Sequence, residues 1–391
     1  MFLGQKLTRI RELNGLTRNE LAQKLSITEQ IVWQYENQSL LPRLDVFKKM
    51  TSLFGITPKY FFTDEHKENA INESTIAFRI KDRNSRKISK YELTYLNTVN
   101  DYIVMLEQYL SVPKPSIQEL QQQAVQIMKR EQNNERTVSM VAELARRALE
   151  LTTNKELMYK LELSGIYIVQ KQAGSSVDTY SGWTKDNRPF IIVGKSNKSA
   201  AQRNFDLAHE LGHLLLHARC ELDALSDNEY EEIEKQADLF AMDFLIPSHE
   251  FKGDFSHVRY VSNPDDYVCL KRKYLVPIAL LEKRAYQLKL LSYWESRSFF
   301  ATFSKKGYWS FEPLDGEIHP IKPGKIRSLF EVLLGENVID MQSFLSANHI
   351  TLGLISRLFN LPEKFFNQYN LHENSYYNNS KIVSIDSYRA N

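Results

Sequence analysis

The chain is poor in cysteine, holding only Cys220 and Cys269. Two cysteines leave no disulfide framework and no cysteine-built zinc site, which fits a reducing cytoplasm. No run approaches the roughly 18 apolar residues that a membrane span needs, so no membrane association is expected. The opening Met1-Phe2-Leu3-Gly4-Gln5-Lys6 lacks the basic-then-apolar pattern of a secretory leader. Charge of one sign is also missing: the net charge is +2, so no global field draws the chain to nucleic acid or a membrane. No internal repeat or long low-complexity tract stands out. What remains is ordinary for a soluble globular protein, 42% apolar and 25% charged. A length of 391 residues suggests two to four domains.

Against that plain background one stretch carries chemistry, Asn204 to His217, which contains His209-Glu210-x-x-His213. Residues four apart lie on one face of a helix, so both imidazoles can aim at one Zn²⁺. Glu210 falls beside the metal and can act as the general base for metal-assisted amide hydrolysis. Ser199 and Gln202 have capping-box spacing, so a helix should begin there. Leu207, Leu211, Leu214 and Leu215 give it an apolar face. A second helix is predicted over Glu234 to Ile246, stopped by Pro247. From it Glu234 can supply a third ligand, and Asp238, one turn on, can hold a ligand histidine. The bland alternative is two amphipathic helices with solvated His and Glu.

His209-Glu210-Leu211-Gly212-His213-Leu214-Leu215-Leu216-His217, followed by the E-x-x-A-D-x-F-A-x-x-F-L-I-P pattern from Glu234 to Pro247, resembles the ImmA/IrrE family of zinc metallopeptidases. Arg203, Phe205, Val177–Ser181 and Pro189–Val193 fit the same pattern, and the resemblance covers roughly residues 136–295. It implies a gluzincin-like site with Glu234 as the third ligand. It also implies a protein substrate, a helix-turn-helix repressor, in a bacterial or phage regulatory switch. Arg203 reads as a residue near the site rather than an oxyanion partner. His217 reads as a wall or partner histidine, and Tyr180 as core packing.

Residues 1–66 are predicted as five short helices. Leu3, Leu7, Ile10 and Leu13 form the first stripe; Thr17 with Glu20 opens the second helix, Thr28 the third, Leu44 the fourth and Thr57-Pro58 the fifth. The pattern from Leu16 through Tyr35-Glu36-Asn37 and Pro42 to Ile56 resembles the Cro/repressor type of DNA-binding domain. In such domains the third helix enters the major groove, which here offers Thr28, Glu29, Gln30, Trp33 and Gln34 to double-stranded DNA. Gln30 or Gln34 can read adenine and Glu29 cytosine. That helix carries no Arg or Lys, and residues 1–66 hold nine basic against seven acidic residues, a weak balance for phosphate binding. A helix-turn-helix used to bind a protein is the alternative.

The fold class expected is mostly α: a five-helix domain over 1–66, a linker and helical connector over 67–135, an α+β zincin-like domain with a small sheet over 136–295, and a mixed α/β region over 296–391. Tyr95, Val99, Tyr102, Leu106 and Tyr109 mark one long helix with a packing seam, more suited to intramolecular packing than to a homodimer. Ser116 and Glu119 are expected to cap a helix running to about Glu131, with further helices over 136–151 and 157–163. Strands are expected at 165–169, 177–183 and 190–193, with an edge that can take up an extended peptide. Two helices should flank Val276-Pro277. Beyond them, Phe299–Phe303 and Tyr308–Phe311 are predicted as strands, Arg327–Leu334 and Met341–Ala347 as helices, and the tail from His372 as loose. The whole reads as a zinc endopeptidase joined to a helix-turn-helix; the rival is a DNA-binding regulator whose peptidase fold only senses a ligand or partner.

Overall fold

The computed structural model describes residues 1–38, 40–63, 70–71, 77–78, 86–131, 134–171, 179–194, 198–218, 220, 225–369 and 383–384. Most of residues 67–85, at the start of the expected linker and connector, residues 177–178 of an expected strand, and most of the tail from His372 lie outside these residues.

The N-terminal unit packs α1 (Gly4–Leu13), α2 (Arg18–Leu25), α3 (Glu29–Asn37) and α4 (Leu44–Phe54), followed by a short 3₁₀ turn, Pro58–Phe62. Local signals set its boundaries. Thr17 and Glu20 close a capping box on α2, Thr28 caps α3, and Ser26 between them is left-handed at φ 58°. Gly55 ends α4 at φ 71°, a conformation glycine adopts without penalty. Buried Glu36 ties three helices together, accepting from Arg11 Nε and Arg18 Nε at 2.5 Å each. Removing one partner of a buried pair leaves the other charge uncompensated. Glu36→Ala is therefore expected to lower stability by about 3–5 kcal/mol in denaturant unfolding; a loss below about 1 kcal/mol would show that the pair is not what fixes α3.

After β1 (Ala77–Phe78), α5 (Arg86–Glu107) and β2 (Leu110–Ser111) come α6 (Ser116–Arg130), α7 (Glu135–Ala148) and α8 (Leu157–Leu163). Pro115, not Ser116, is the cap residue of α6, and no side chain caps that helix. The hydroxyl of Ser116 instead donates to the Ser164 carbonyl at 3.4 Å. The strands β3 (Tyr167–Gln170), β4 (Thr179–Trp183) and β5 (Pro189–Val193) join β1 in a sheet of order β1-β4-β5-β3, in which only β3 and β5 run parallel.

This sheet separates two apolar cores. Side chains alternate between faces along a strand: Tyr167, Val169, Phe190 and Ile192 enter one core, Ile168, Ile191 and Val193 the other. The first core holds the N-terminal unit, α5, and the last helices: α15 (Lys325–Gly335), α16 (Met341–Asn348), α17 (Leu352–Phe359) and α18 (Glu363–Asn367). The tyrosine stripe of α5 belongs to it; Tyr95 and Tyr102 are buried, and the Tyr95 hydroxyl donates to the Leu358 carbonyl at 2.7 Å. The second core is built from α6 to α8, α9 (Ala200–Leu216), α10 (Asp227–Leu245), α11 (Ser248–Phe255), α12 (Val268–Tyr274), α13 (Ile278–Gln287) and α14 (Tyr293–Lys305). β2 pairs in parallel with β6 (Val383–Ser384), within the segment expected to be loose.

The strands expected at 299–303 and 308–311 do not form. Residues 293–305 are helical behind a Ser292/Glu295 capping box, and 308–310 form a turn. The aromatics that favour a strand locally are placed four apart instead. Phe299 and Phe303 stack at 5.7 Å on one buried helix face, and tertiary packing of that face overrides β-propensity.

Candidate metal centre

α9 and α10 build the site, and each starts at a full capping box: Ser199 with Gln202, Ser226 with Glu229. His209, Glu210 and His213 all lie in the buried part of α9. Gly212, between them, lets α10 approach. A Cβ there would meet Phe240 at 3.1 Å and the Ala237 Cα at 3.3 Å. Gly212→Ala is expected to push α10 outward and cost about 1–3 kcal/mol, weakening metal retention in equilibrium dialysis. Retention equal to wild type would show that the close approach is not needed.

That approach brings Glu234 to the histidines. Its Oε2 lies 3.5 Å from His209 Nε2 and its Oε1 3.3 Å from His213 Nε2. The two Nε2 atoms are 3.0 Å apart. Their other nitrogens are occupied. His209 Nδ1 lies 2.8 Å from Asp238 Oδ1, which can only accept while ionised, so the proton belongs on Nδ1. His217 Nε2 lies 3.2 Å from the Gln236 Oε1 acceptor, and its Nδ1 lies 3.1 Å from His213 Nδ1. With His217 neutral and donating to Gln236, His213 Nδ1 carries the proton between the two rings. Burial, then the charge of His213, pushes the His217 pKa down to about 3, consistent with a neutral ring. Both Nε2 atoms then present lone pairs to the same point. Two lone pairs at this distance repel unless a cation lies between them.

The carboxylates fit the same picture. Burial opposes charge on Glu234, and positive charge at this point, whether protons on His209 and His213 or a cation between their Nε2 atoms, holds its pKa well below the usual carboxylate range. Burial raises the Glu210 pKa, with His213 and His209 opposing. Glu210 Oε2 is buried without a hydrogen-bond partner, an exception that calls for a missing ligand or water. His209, His213 and Glu234 each offer one donor atom, all within 4.8 Å of one another. Two nitrogens and a carboxylate oxygen are a donor set suited to zinc with a position left over.

The other expected residues fall as follows. Arg203 is buried less than two turns before His209, with Nη2 donating to the Gly194 carbonyl at 3.4 Å. Tyr180 is buried in the core on the far side of the sheet. Thr28, Glu29, Gln30 and Trp33 are exposed on the outer side of α3, and Gln34 is half-buried. Three supporting bonds have no signature in the sequence. Ser181 donates to the Glu210 carbonyl at 3.2 Å, Trp183 Nε1 to the Leu214 carbonyl at 3.0 Å, and Gln236 braces His217. The first two fasten β4 along α9. On its side away from β5, β4 pairs with β1, Ala77 opposite Ser181 and Phe78 opposite Tyr180.

Residues 161–286 match the family model of the IrrE N-terminal-like domain, a peptidase family. Residues 7–61 match the helix-turn-helix family model. The chain joins a helix-turn-helix domain to a metallopeptidase-like domain. No curated protein matches it. His209, His213 and Glu234, and Glu210, lie inside the matched peptidase segment, and α1 to α3 with their turn lie within or overlap the matched helix-turn-helix segment. This pairing is the build of a DNA-binding regulatory protein. No helix among the described residues is long and apolar enough to cross a membrane.

Proposed function

We propose that the chain is a zinc-dependent endopeptidase that cleaves a protein substrate, a helix-turn-helix repressor, in the cytoplasm. The observation that carries this reading is the convergence of His209 Nε2, His213 Nε2 and a Glu234 carboxylate oxygen, with both outer nitrogens braced. His209, His213 and Glu234 would hold the zinc. Bound there, it would supply a Lewis acid that polarises the scissile carbonyl and the attacking water. Glu210 accepts the proton of that water and passes it to the leaving amine. Asp238 holds His209 in its tautomer, and His217 with Gln236 does the same for His213. In this reading residues 1–66 address DNA, 67–135 connect, 136–295 carry the chemistry, and α15 to α18, within 296–391, complete the N-terminal core. The chain bearing Glu210→Gln should retain its substrate, so affinity capture from host cells should enrich a helix-turn-helix protein. Capture that enriches none would remove the repressor as substrate.

Residues Thr28, Glu29, Gln30, Trp33 and Gln34 form the DNA-facing surface. Gln30→Ala with Gln34→Ala should weaken binding to a selected duplex by about 1–3 kcal/mol for each bidentate base pairing removed and relax preference at those base pairs. Gel-shift binding untouched by both changes would favour protein binding by this domain.

A further inference from the structure

The C-terminal helices repeat the geometry of the DNA-reading ones. In the N-terminal unit Thr17 caps α2, Ser26 is left-handed, and Thr28 is extended at φ −85°, ψ 155° before α3. In the C-terminal unit Asp340 caps α16, His349 is left-handed at φ 56°, and Thr351 is extended at φ −104°, ψ 161° before α17. Cap, helix start, left-handed residue, second cap and second helix start are displaced by one and the same number of residues. Each first cap accepts from the backbone N–H three residues on, Glu20 in one unit and Ser343 in the other. Ile27 and Ile350 occupy the same place in the two turns. Residues 325–367 thus form a second helix-turn-helix unit.

The two units pack against each other. Ile56 bridges Ile350 antiparallel. Thr57 N donates to the His349 carbonyl at 2.9 Å, Thr351 N to the Gly55 carbonyl at 3.0 Å, and Arg357 Nη2 to the Phe54 carbonyl at 2.9 Å. Both contribute to one apolar core. The start of α17 is engaged by the first unit where that of α3 is not. Thr28 and its equivalent Thr351 are both exposed, but Thr351 bonds the Gly55 carbonyl; Arg357, the equivalent of Gln34, bonds the Phe54 carbonyl; and Trp33 is exposed, while its equivalent Ser356 is buried. The second unit thus turns these positions to the first unit rather than to a groove. Helix-turn-helix domains ordinarily read paired half-sites as dimers.

We propose that residues 325–367 are a helix-turn-helix partner held in cis, which takes the place of a second chain at the Phe54–Thr57 edge, so that the protein reads one DNA half-site as a monomer. The partner surface suits a domain of its own kind, and the DNA part of this inference rests on the DNA-binding reading above.

Sedimentation of the full chain, alone and with duplexes selected from a random pool, tests the proposal. A monomer alone, and one chain on a site without two-fold symmetry, are expected. Two wild-type chains on paired half-sites one helical turn apart would overturn it. Thr351→Val with Arg357→Ala should open the edge and make the chain self-associate, with helical circular dichroism retained; Arg357→Ala alone is the milder variant should the double change fail to fold. If no duplex is retained, DNA reading fails separately, and the cis partner is judged by sedimentation alone. Self-association on opening the edge then supports it, and a monomeric variant overturns it.

Discussion

Glu210→Gln is expected to lower proteolysis by about 10²–10⁴-fold, the usual contribution of a positioned acid–base group, while leaving zinc content at the wild-type level. The two parts of this expectation have different causes. Glu210 follows His209 on α9 but is not one of the three converging donors, so changing its charge removes no ligand. Its buried, unpartnered Oε2 is instead free to take a proton. Gln keeps the volume of the side chain, so the packing of α9 against β4 and α10 should stand. Zinc measured by plasma mass spectrometry, alongside turnover, separates the roles. Loss of zinc together with activity would make Glu210 a ligand and the assignment wrong.

Glu234→Ala is expected to have the larger effect on metal. Zinc in a catalytic site needs three protein ligands, and this change leaves two, so zinc and activity should disappear together. Asp238→Ala should differ in degree. Asp238 touches His209 Nδ1 at 2.8 Å and is not one of the three converging donors, so its loss frees the ring to turn or change tautomer. Loss of such a brace weakens metal by roughly 10–100-fold. Competition titration against a chromophoric chelator reads both. Wild-type affinity in Glu234→Ala would place the third ligand elsewhere; equal effects of the two changes would mean that Asp238 does more than brace.

What could be read in the sequence was what local chemistry writes there. Thr17 with Glu20, Ser199 with Gln202 and Gly55 announce helix ends within a few residues, and the four-residue spacing of His209 and His213 needs only a helix to become a pair. Packing between distant segments was harder to read. Gly212 looks like a minor helix breaker until Ala237 and Phe240 are packed on it. Gln236 lies off the line of Glu234 and gains its role only because His217 ends α9 beside it. Phe299 to Phe311 reads as strand by propensity, and only the core that Phe299 and Phe303 enter makes it a helix and turn. The second helix-turn-helix was hidden for another reason. Phe344, Leu345 and Ile355 replace Leu21, Ala22 and Val32, so the units share apolar character rather than letters, and the left-handed His349 is visible only in the backbone.

Whether this chain cuts peptide bonds with the α9–α10 site is the central question. The most direct measurement is amino-terminal profiling of a host-cell lysate incubated with zinc-loaded wild-type chain or with zinc-loaded Glu210→Gln chain. The expected result is a set of new amino termini that depends on zinc, appears with the wild-type chain and is absent with Glu210→Gln. Identical profiles from the two proteins, with zinc bound to both, would contradict peptidase action and leave the domain a binding module.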